Sequence, residues 1–246
     1  MKIILLGAPG CGKGTLSAEL KDKHNYNPIS AGDLIRDEIK SGSALGNKIK
    51  DIVKNGGLVN DDIVNQLMKK QIAFLKSKKI DNVIYDGYPR TVEQAKYLDS
   101  LSPIDAVIEI VVDEPTLVKR ISGRRICPKC KASFNVYSEG FKPKKSNVCD
   151  ECGEKLTQRA DDNPSTVKNR LKVYNETTSK LINFYKKQKK LSSINGVVFD
   201  NVMQKVGNIL NLKPSKKVAS PVKKAVSNAK KAVATKIKKI VSKKKK

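Results

Sequence analysis

Near the start of the chain, the residues Gly7-Ala8-Pro9-Gly10-Cys11-Gly12-Lys13-Gly14-Thr15 follow the apolar run Ile3 to Leu6. Glycines at this density let a backbone wrap a polyphosphate with no Cβ in the way, so that its N–H groups converge on anionic oxygens. Lys13 adds a full positive charge for the outer phosphates, and Thr15 a hydroxyl. The spacing Gly7-x4-Gly12-Lys13 fits a phosphate loop, although Gly14 stands where the general pattern has Ser or Thr. Cys11 reads as a small side chain within that loop. A second chemistry lies in Cys127-x2-Cys130 and Cys149-x2-Cys152, two knuckles separated by 18 residues. That spacing suits four thiolates around one zinc ion, with no open position and hence a structural metal. Disulfides or iron are the competing uses of the same quartet.

Conventional acid–base residues are scarce, the single histidine being His24, late in an expected helix. Arginines are placed differently. Arg36, Arg90, Arg120, Arg124, Arg125, Arg159 and Arg170 each sit in a short motif. A planar guanidinium binds phosphate oxygens in pairs, which suits phosphoryl transfer, where catalysis is positioning and charge neutralisation.

Apolar runs of strand length at Lys2–Leu6, Val83–Tyr85, Ala106–Val112 and Val197–Phe199 could position these residues. Between them lie segments of helical period. Ile63, Leu67, Ile72 and Leu75 line one expected face, and Leu171, Tyr174, Leu181, Ile182 and Tyr185 another. Alternating strands and helices imply an α/β fold, a mostly parallel sheet with helices on both faces, binding ligands at the carboxyl ends of its strands. Ile126 to Arg159, rich in Cys, Pro, Gly and Lys, interrupts this rhythm as an inserted module.

The formal net charge of +26 is uneven: 14 of the 50 basic residues and none of the 24 acidic ones lie in residues 213–246. That extension reads as a disordered arm or an induced basic helix. Its partner would be nucleic acid, held by sequence-independent phosphate contacts, or an anionic membrane surface. No run approaches the ~18 apolar residues of a membrane span, and the four apolar residues after Lys2 are too few for a signal-peptide core. A cytoplasmic location is the expectation.

Gly-x-Pro-Gly-x-Gly-Lys-Gly-Thr, with its Gly14, resembles the phosphate loop of the adenylate kinase family. The similarity runs on through Ser30-Ala31-Gly32-Asp33-Leu34-Ile35-Arg36, Gly57-Leu58-Val59, Asp86-Gly87-Tyr88-Pro89-Arg90 with Gln94, Arg120, Arg124-Arg125, Arg159-Ala160-Asp161-Asp162 and Asn169-Arg170-Leu171. The resemblance spans residues 1–212. It implies a three-layer α/β P-loop kinase with a monophosphate-binding segment near 30–60, a zinc-binding lid near 125–160 and a basic C-terminal extension. The reaction implied is ATP + AMP to two ADP with Mg²⁺, in a monomeric body.

The resemblance places Lys13, Arg124, Arg159 and Arg170 around the transferred phosphoryl, with Arg90 on the acceptor and Asp86 orienting Mg²⁺ through water. ATP would meet Gly10, Cys11, Gly12, Lys13, Gly14 and Thr15, then Arg120, Arg124, Ser133, Phe134 and Val198. AMP would meet Ala31, Arg36, Gly57, Leu58, Val59, Gly87, Tyr88, Pro89, Arg90 and Gln94, with Arg159 and Arg170. Zinc would take Cys127, Cys130, Cys149 and Cys152. Ala31 departs from the threonine usual in adenylate kinases and is more familiar in UMP/CMP kinases. Gln94 and the long lid favour adenine. A zinc-ribbon nucleic-acid-binding protein is the competing class, and it would need neither the arginines around the phosphate loop nor the Asp86–Arg90 segment.

Overall fold

The computed structural model describes residues 1–212; the extension expected at 213–246, as a disordered arm or induced helix, lies outside the described residues. In chain order the elements are β1 (Lys2–Leu6), α1 (Lys13–His24), β2 (Asn27–Ser30), α2 (Ala31–Lys40), α3 (Ala44–Lys54) and α4 (Asp61–Ser77). Then come β3 (Val83–Asp86), α5 (Val92–Leu101), β4 (Ala106–Val111), α6 (Glu114–Gly123), β5 (Arg124–Ile126) and β6 (Ser133–Asn135). The chain continues through α7 (Pro164–Val173), a π-helical turn (Tyr174–Thr178), α8 (Lys180–Lys187), β7 (Leu191–Asn195) and α9 (Phe199–Ile209).

The main sheet has the order β2-β3-β1-β4-β7, with every pair parallel. β1 lies at its centre and is covered on both faces, which is why Ile3, Ile4, Leu5 and Leu6 form a continuous apolar run, none more than 3% exposed. Ile4 and Leu6 join one core with Met68 and Ile72 of α4, Leu98 of α5 and Leu181 and Tyr185 of α8. Side chains alternate along a strand, so Ile3 and Leu5 face the opposite layer. The expected α/β sandwich is therefore present, with the sheet between two helical layers.

Most helix starts are capped by side chains: Ser30 accepts from Asp33 N–H, Asn60 from Asp62 N–H, Thr91 from Gln94 N–H and Asp113 from Thr116 N–H. The start of α1 differs. Its cap residue is Gly12, no side chain bonds its first N–H groups, and its first turn holds no acidic residue. Those donors stay open to an outside anion.

Several expected boundaries shift. No strand forms at Val197–Phe199: Val197 and Val198 are 48% and 50% exposed, and Phe199 opens α9. The strand there is the polar Leu191–Asn195, an edge strand with one neighbour, whose serines need not enter the core. The other edge strand, β2, contains Pro28 and gave no sequence signal; proline is tolerated where one side of a strand is unpaired. In α4 the buried stripe is Val64, Met68, Ile72 and Leu75, with Ile63 and Leu67 flanking it. β4 stops at Val111, which is 51% exposed, one residue short of the expected run.

The inserted module leaves the core at β5, which pairs antiparallel with β6, and returns at Thr157, which bridges to Ile126.

Candidate active site

The loop after β1 wraps the uncapped start of α1. Gly10 has φ +86, and a Cβ there would stand 2.7 Å from a side-chain carbon of Ile121. Only glycine allows both the left-handed backbone and this approach to α6. The Lys13 ammonium donates to the carbonyls of Gly7 at 2.7 Å and Ala8 at 3.1 Å, and lies 3.5 Å from Cys11 Sγ. Its charge is thus held over the loop. Arg120 of α6 closes one side, donating to Gly196 O at 3.0 Å and Val197 O at 2.9 Å. Val198, exposed, follows directly in the same turn.

Asp86 ends β3 and lies over the loop, its Oδ2 3.9 Å from where a Cβ on Gly14 would be. Burial pushes its carboxyl above the ordinary value, Asp33 adds to that, and Lys13 pulls it back most strongly. The arginines arrive from separate elements. Arg90 follows β3 and donates its Nε–H to Gly87 O at 3.0 Å. Burial, reinforced by Arg170, draws it down to about 10. Arg159 is likewise drawn down to about 10 by burial, with Arg124 and Arg36 repelling it.

Positive groups this close repel, and three aspartates hold them. Asp162, fully buried, accepts from Arg124 Nε at 2.8 Å and from its Nη2, and also from Arg170 Nη1 at 3.2 Å. Asp161 pairs with Arg170 at 2.9 Å. Asp33 pairs with Arg36 at 2.6 Å and lies 3.8 Å from Arg159. Burial would raise the Asp33 carboxyl, but Arg36 and then Arg159 hold it below the ordinary range. Lys13, Arg36, Arg90, Arg124, Arg159 and Arg170 therefore share one field around the Asp86 carboxyl, a cluster of cations that suits a polyphosphate. The anchoring role of Asp161 and Asp162 escaped the sequence reading. They stand in a quoted motif, but the partner of Asp162 is 38 residues away.

On the acceptor side, Gln94 is only 3% exposed. Its Nε2 donates to Asp61 Oδ1 at 2.7 Å and its Oε1 accepts from Arg90 N–H at 2.8 Å. The other Asp61 oxygen accepts from the Thr91 hydroxyl at 2.6 Å. These contacts fix which way the carboxamide faces. They leave it one hydrogen and one lone pair, the complement of an adenine edge. Asp61 was not anticipated; it is 33 residues from Gln94 and looks like any acid in a first helical turn. Tyr88, joined to Pro89 by a cis peptide, donates to Asn65 Oδ1 at 2.6 Å. Ala31 and Val59 are buried, while Gly57 and Leu58 are partly exposed. Gly56, unflagged in the sequence, has φ +76, and a Cβ there would come within 2.7 Å of Arg170 Cγ.

The four cysteine sulfurs lie within 4.8 Å of one another, with Cys127–Cys152 at 3.4 Å and Cys130–Cys149 at 3.5 Å. Thiolates at ~2.3 Å from a tetrahedral zinc would be ~3.8 Å apart, so this set can hold the ion. Phe134, expected to face the donor nucleotide, packs against the small cluster of Cys127, Cys149 and Leu156, and Ser133 is exposed.

A family profile described as adenylate kinase matches residues 5–190. The chain is 39% identical over 216 residues to the adenylate kinase of Petrotoga mobilis, covering 85% of this chain and 97% of the relative. It is 44% identical over 195 residues to that of Borrelia turicatae, covering 79% and 91% respectively. To that of Thermosipho melanesiensis it is 42% identical over 216 residues, covering 85% and 99%.

Proposed function

This chain belongs to the adenylate kinase family, and we propose from that premise how its own residues carry the family's reaction. It is an ATP:AMP phosphotransferase, moving the terminal phosphoryl of ATP to AMP to give two ADP. The observation that supports the residue roles best is the convergence of one lysine and five arginines on a pocket beside the uncapped start of α1.

In this reading the N–H groups of Gly10 to Thr15 and the Lys13 ammonium hold the donor phosphates. Arg120 and Val198 border the donor base, and Ser133 and Phe134 reach it only from the covering module. Arg36 and Arg90 grip the acceptor's α-phosphate. Arg124, Arg159 and Arg170 surround the phosphoryl as its charge spreads over three oxygens, where one such arginine is worth roughly 10³–10⁵ in rate. Gln94 reads the acceptor base, with Ala31, Gly57, Leu58, Val59, Gly87, Tyr88 and Pro89 walling that pocket. Mg²⁺, when bound with ATP, supplies charge neutralisation, and Asp86 is placed to orient it through water.

Residues 30–60 form the acceptor-binding segment and 125–160 a lid that excludes water during transfer. The thiolates of Cys127, Cys130, Cys149 and Cys152 hold a structural zinc that orders the lid. The body, residues 1–212, acts as a monomer in the cytoplasm. Among the described residues no helix is long and apolar enough to cross a membrane. The Lys-rich extension is a polyanion-binding arm. The relatives do not favour the pyrimidine reading raised by Ala31 or the zinc-ribbon reading.

A coupled phosphotransfer assay with AMP, CMP, UMP and GMP tests the proposal. AMP should be the preferred acceptor. Preference for CMP or UMP would overturn the reading of Gln94.

A further inference from the structure

A helix leaves its last carbonyls without partners inside itself. At the end of α3, two of them are met locally. Gly56 N–H donates to Val53 O at 3.0 Å and Gly57 N–H to Ile52 O at 2.9 Å, with Gly56 at φ +76. This is the usual closure of a helix on a left-handed glycine. The next two carbonyls, Lys54 O and Asn55 O, are met from far along the chain. The Thr166 hydroxyl donates to Lys54 O at 3.2 Å, and Asn169 Nδ2 donates to Asn55 O at 2.7 Å. These donors lie 112 and 114 residues from their acceptors.

Both donors belong to α7, and their spacing puts them on one face with Arg170. The contact is tight as well as polar. Gly56 is buried, and a Cβ on it would come within 2.7 Å of Arg170 Cγ and 2.9 Å of Thr166 Cγ2. The Arg170 stem therefore lies against the end of α3, while its guanidinium donates to Asp161 O at 3.1 Å and Asp162 Oδ1 at 3.2 Å. Lys54 and Asn55 are exposed, so solvent alone would satisfy their carbonyls. What the side chains of α7 add is a fixed position for the end of α3.

Directly after Gly56 comes the strip Gly57-Leu58-Val59. We propose that Thr166 and Asn169 are positioning residues for the acceptor: by capping the last two carbonyls of α3, they hold this strip at a set spacing from Arg170. The proposal rests on the reading above, in which the strip walls the acceptor pocket and Arg170 meets the transferred phosphoryl. Neither side chain needs to touch a nucleotide. Transfer depends on alignment, and a misplacement of about 1 Å can cost ~10²-fold in rate. The phosphate loop and Arg120 take no part in these bonds, so the effect belongs to the acceptor and not to the donor.

The test is steady-state phosphotransfer by the full chain, with AMP and ATP varied in turn, alongside thermal unfolding. Thr166→Val keeps the shape and removes the hydroxyl, Thr166→Ser keeps the hydroxyl, and Asn169→Ala removes the carboxamide of an exposed residue. Thr166→Val and Asn169→Ala should each raise KM for AMP about threefold, and together about tenfold, the range that one or two ordinary hydrogen bonds allow. KM for ATP should stay within about twofold, below the effect of one such bond. The double variant should also lose kcat, and Thr166→Ser should restore the parent's KM for AMP. A cap that only stabilises the fold would lower the melting temperature and leave both KM values at the parent's level well below it; that result would overturn the proposal. Equal rises for AMP and ATP would overturn it as well, and Thr166→Ser behaving like Thr166→Val would remove Thr166 from it. The acceptor assignment is judged separately on the parent chain. If CMP or UMP is its better acceptor, the reading of Gln94 falls, and the same variants assayed with that nucleotide still decide whether Thr166 and Asn169 position it.

Discussion

Arg90 and Arg159 are both drawn down to about 10, mainly by burial and then by neighbouring arginines, so positive groups are held close together at this site. Lys13→Met and Arg90→Ala should each lower kcat/KM by roughly 10³-fold or more while the fold remains intact. Near-normal turnover in either folded variant would sink the site. Gln94 is oriented from behind by Asp61. Asp61→Ala should therefore raise the KM for AMP about tenfold, a cost of ~1.4 kcal/mol, with little change for ATP. Gln94→Ala should do the same. If Asp61→Ala alters both substrates equally, the carboxylate supports the fold and not the acceptor pocket. The pocket also sets an acid limit. Burial would raise the Asp161 carboxyl, but Arg170 foremost, with Arg36, Arg124 and Arg159, holds it below its ordinary value. A depressed carboxyl stabilises the fold above its unfolded value, near 3.9, and that stability is lost as pH falls through the folded value. Unfolding midpoints should thus drop below about pH 4, and Asp161→Asn should flatten that limb. The loop and the arginines were legible because each lies in a compact motif. Asp61 and Asp162 were not, because their partners are 33 and 38 residues distant and pairing at that range leaves no local pattern.

The cysteine module has few apolar residues to order it: Cys127, Cys149 and Leu156 form its buried cluster, with Ala132, Phe134 and Cys152 against it. A structural zinc typically contributes about 10–16 kcal/mol of apparent binding free energy to such folds. Chelation, or Cys149→Ala, should lower the melting temperature and reduce turnover as temperature rises, with slow turnover surviving at low temperature. Metal analysis should give about one zinc per chain, the count a single Cys₄ site allows. Zinc-free protein with an unchanged melting curve would reject the site. Elements buried on both faces announced themselves, as β1 and β4 did. The two edge strands did not. β2 contains a proline and β7 two serines, and an edge strand can be held by backbone pairing with modest burial.

The proposed lid and acceptor segment touch in this arrangement. Lys131 lies 3.1 Å from Asp37 of α2, the two side chains being 57% and 58% exposed. Phe141 meets Phe199 of α9 edge-on, with ring centres 5.6 Å apart. An exposed ion pair is worth about 0–1 kcal/mol, so it can bias closure without dominating it. Lys131→Glu should change KM for either nucleotide by less than about fivefold, the factor that 1 kcal/mol allows, and that change should fade at high salt. A loss beyond that, persisting in salt, would mean that Lys131 meets the nucleotide itself.

Asp162 does something further through its place in the chain. It follows the inserted module, while Arg124 opens it, so their pairing fastens the two ends of a long excursion at its neck. For a loop of this length, closure costs about 3 kcal/mol in chain entropy, and each doubling only ~0.6 kcal/mol more. A neck fastened in this way lets the module vary in length at little cost to the core. The module can then lengthen or shorten while the five-stranded sheet keeps its register, as a cartridge can be exchanged without rebuilding the socket.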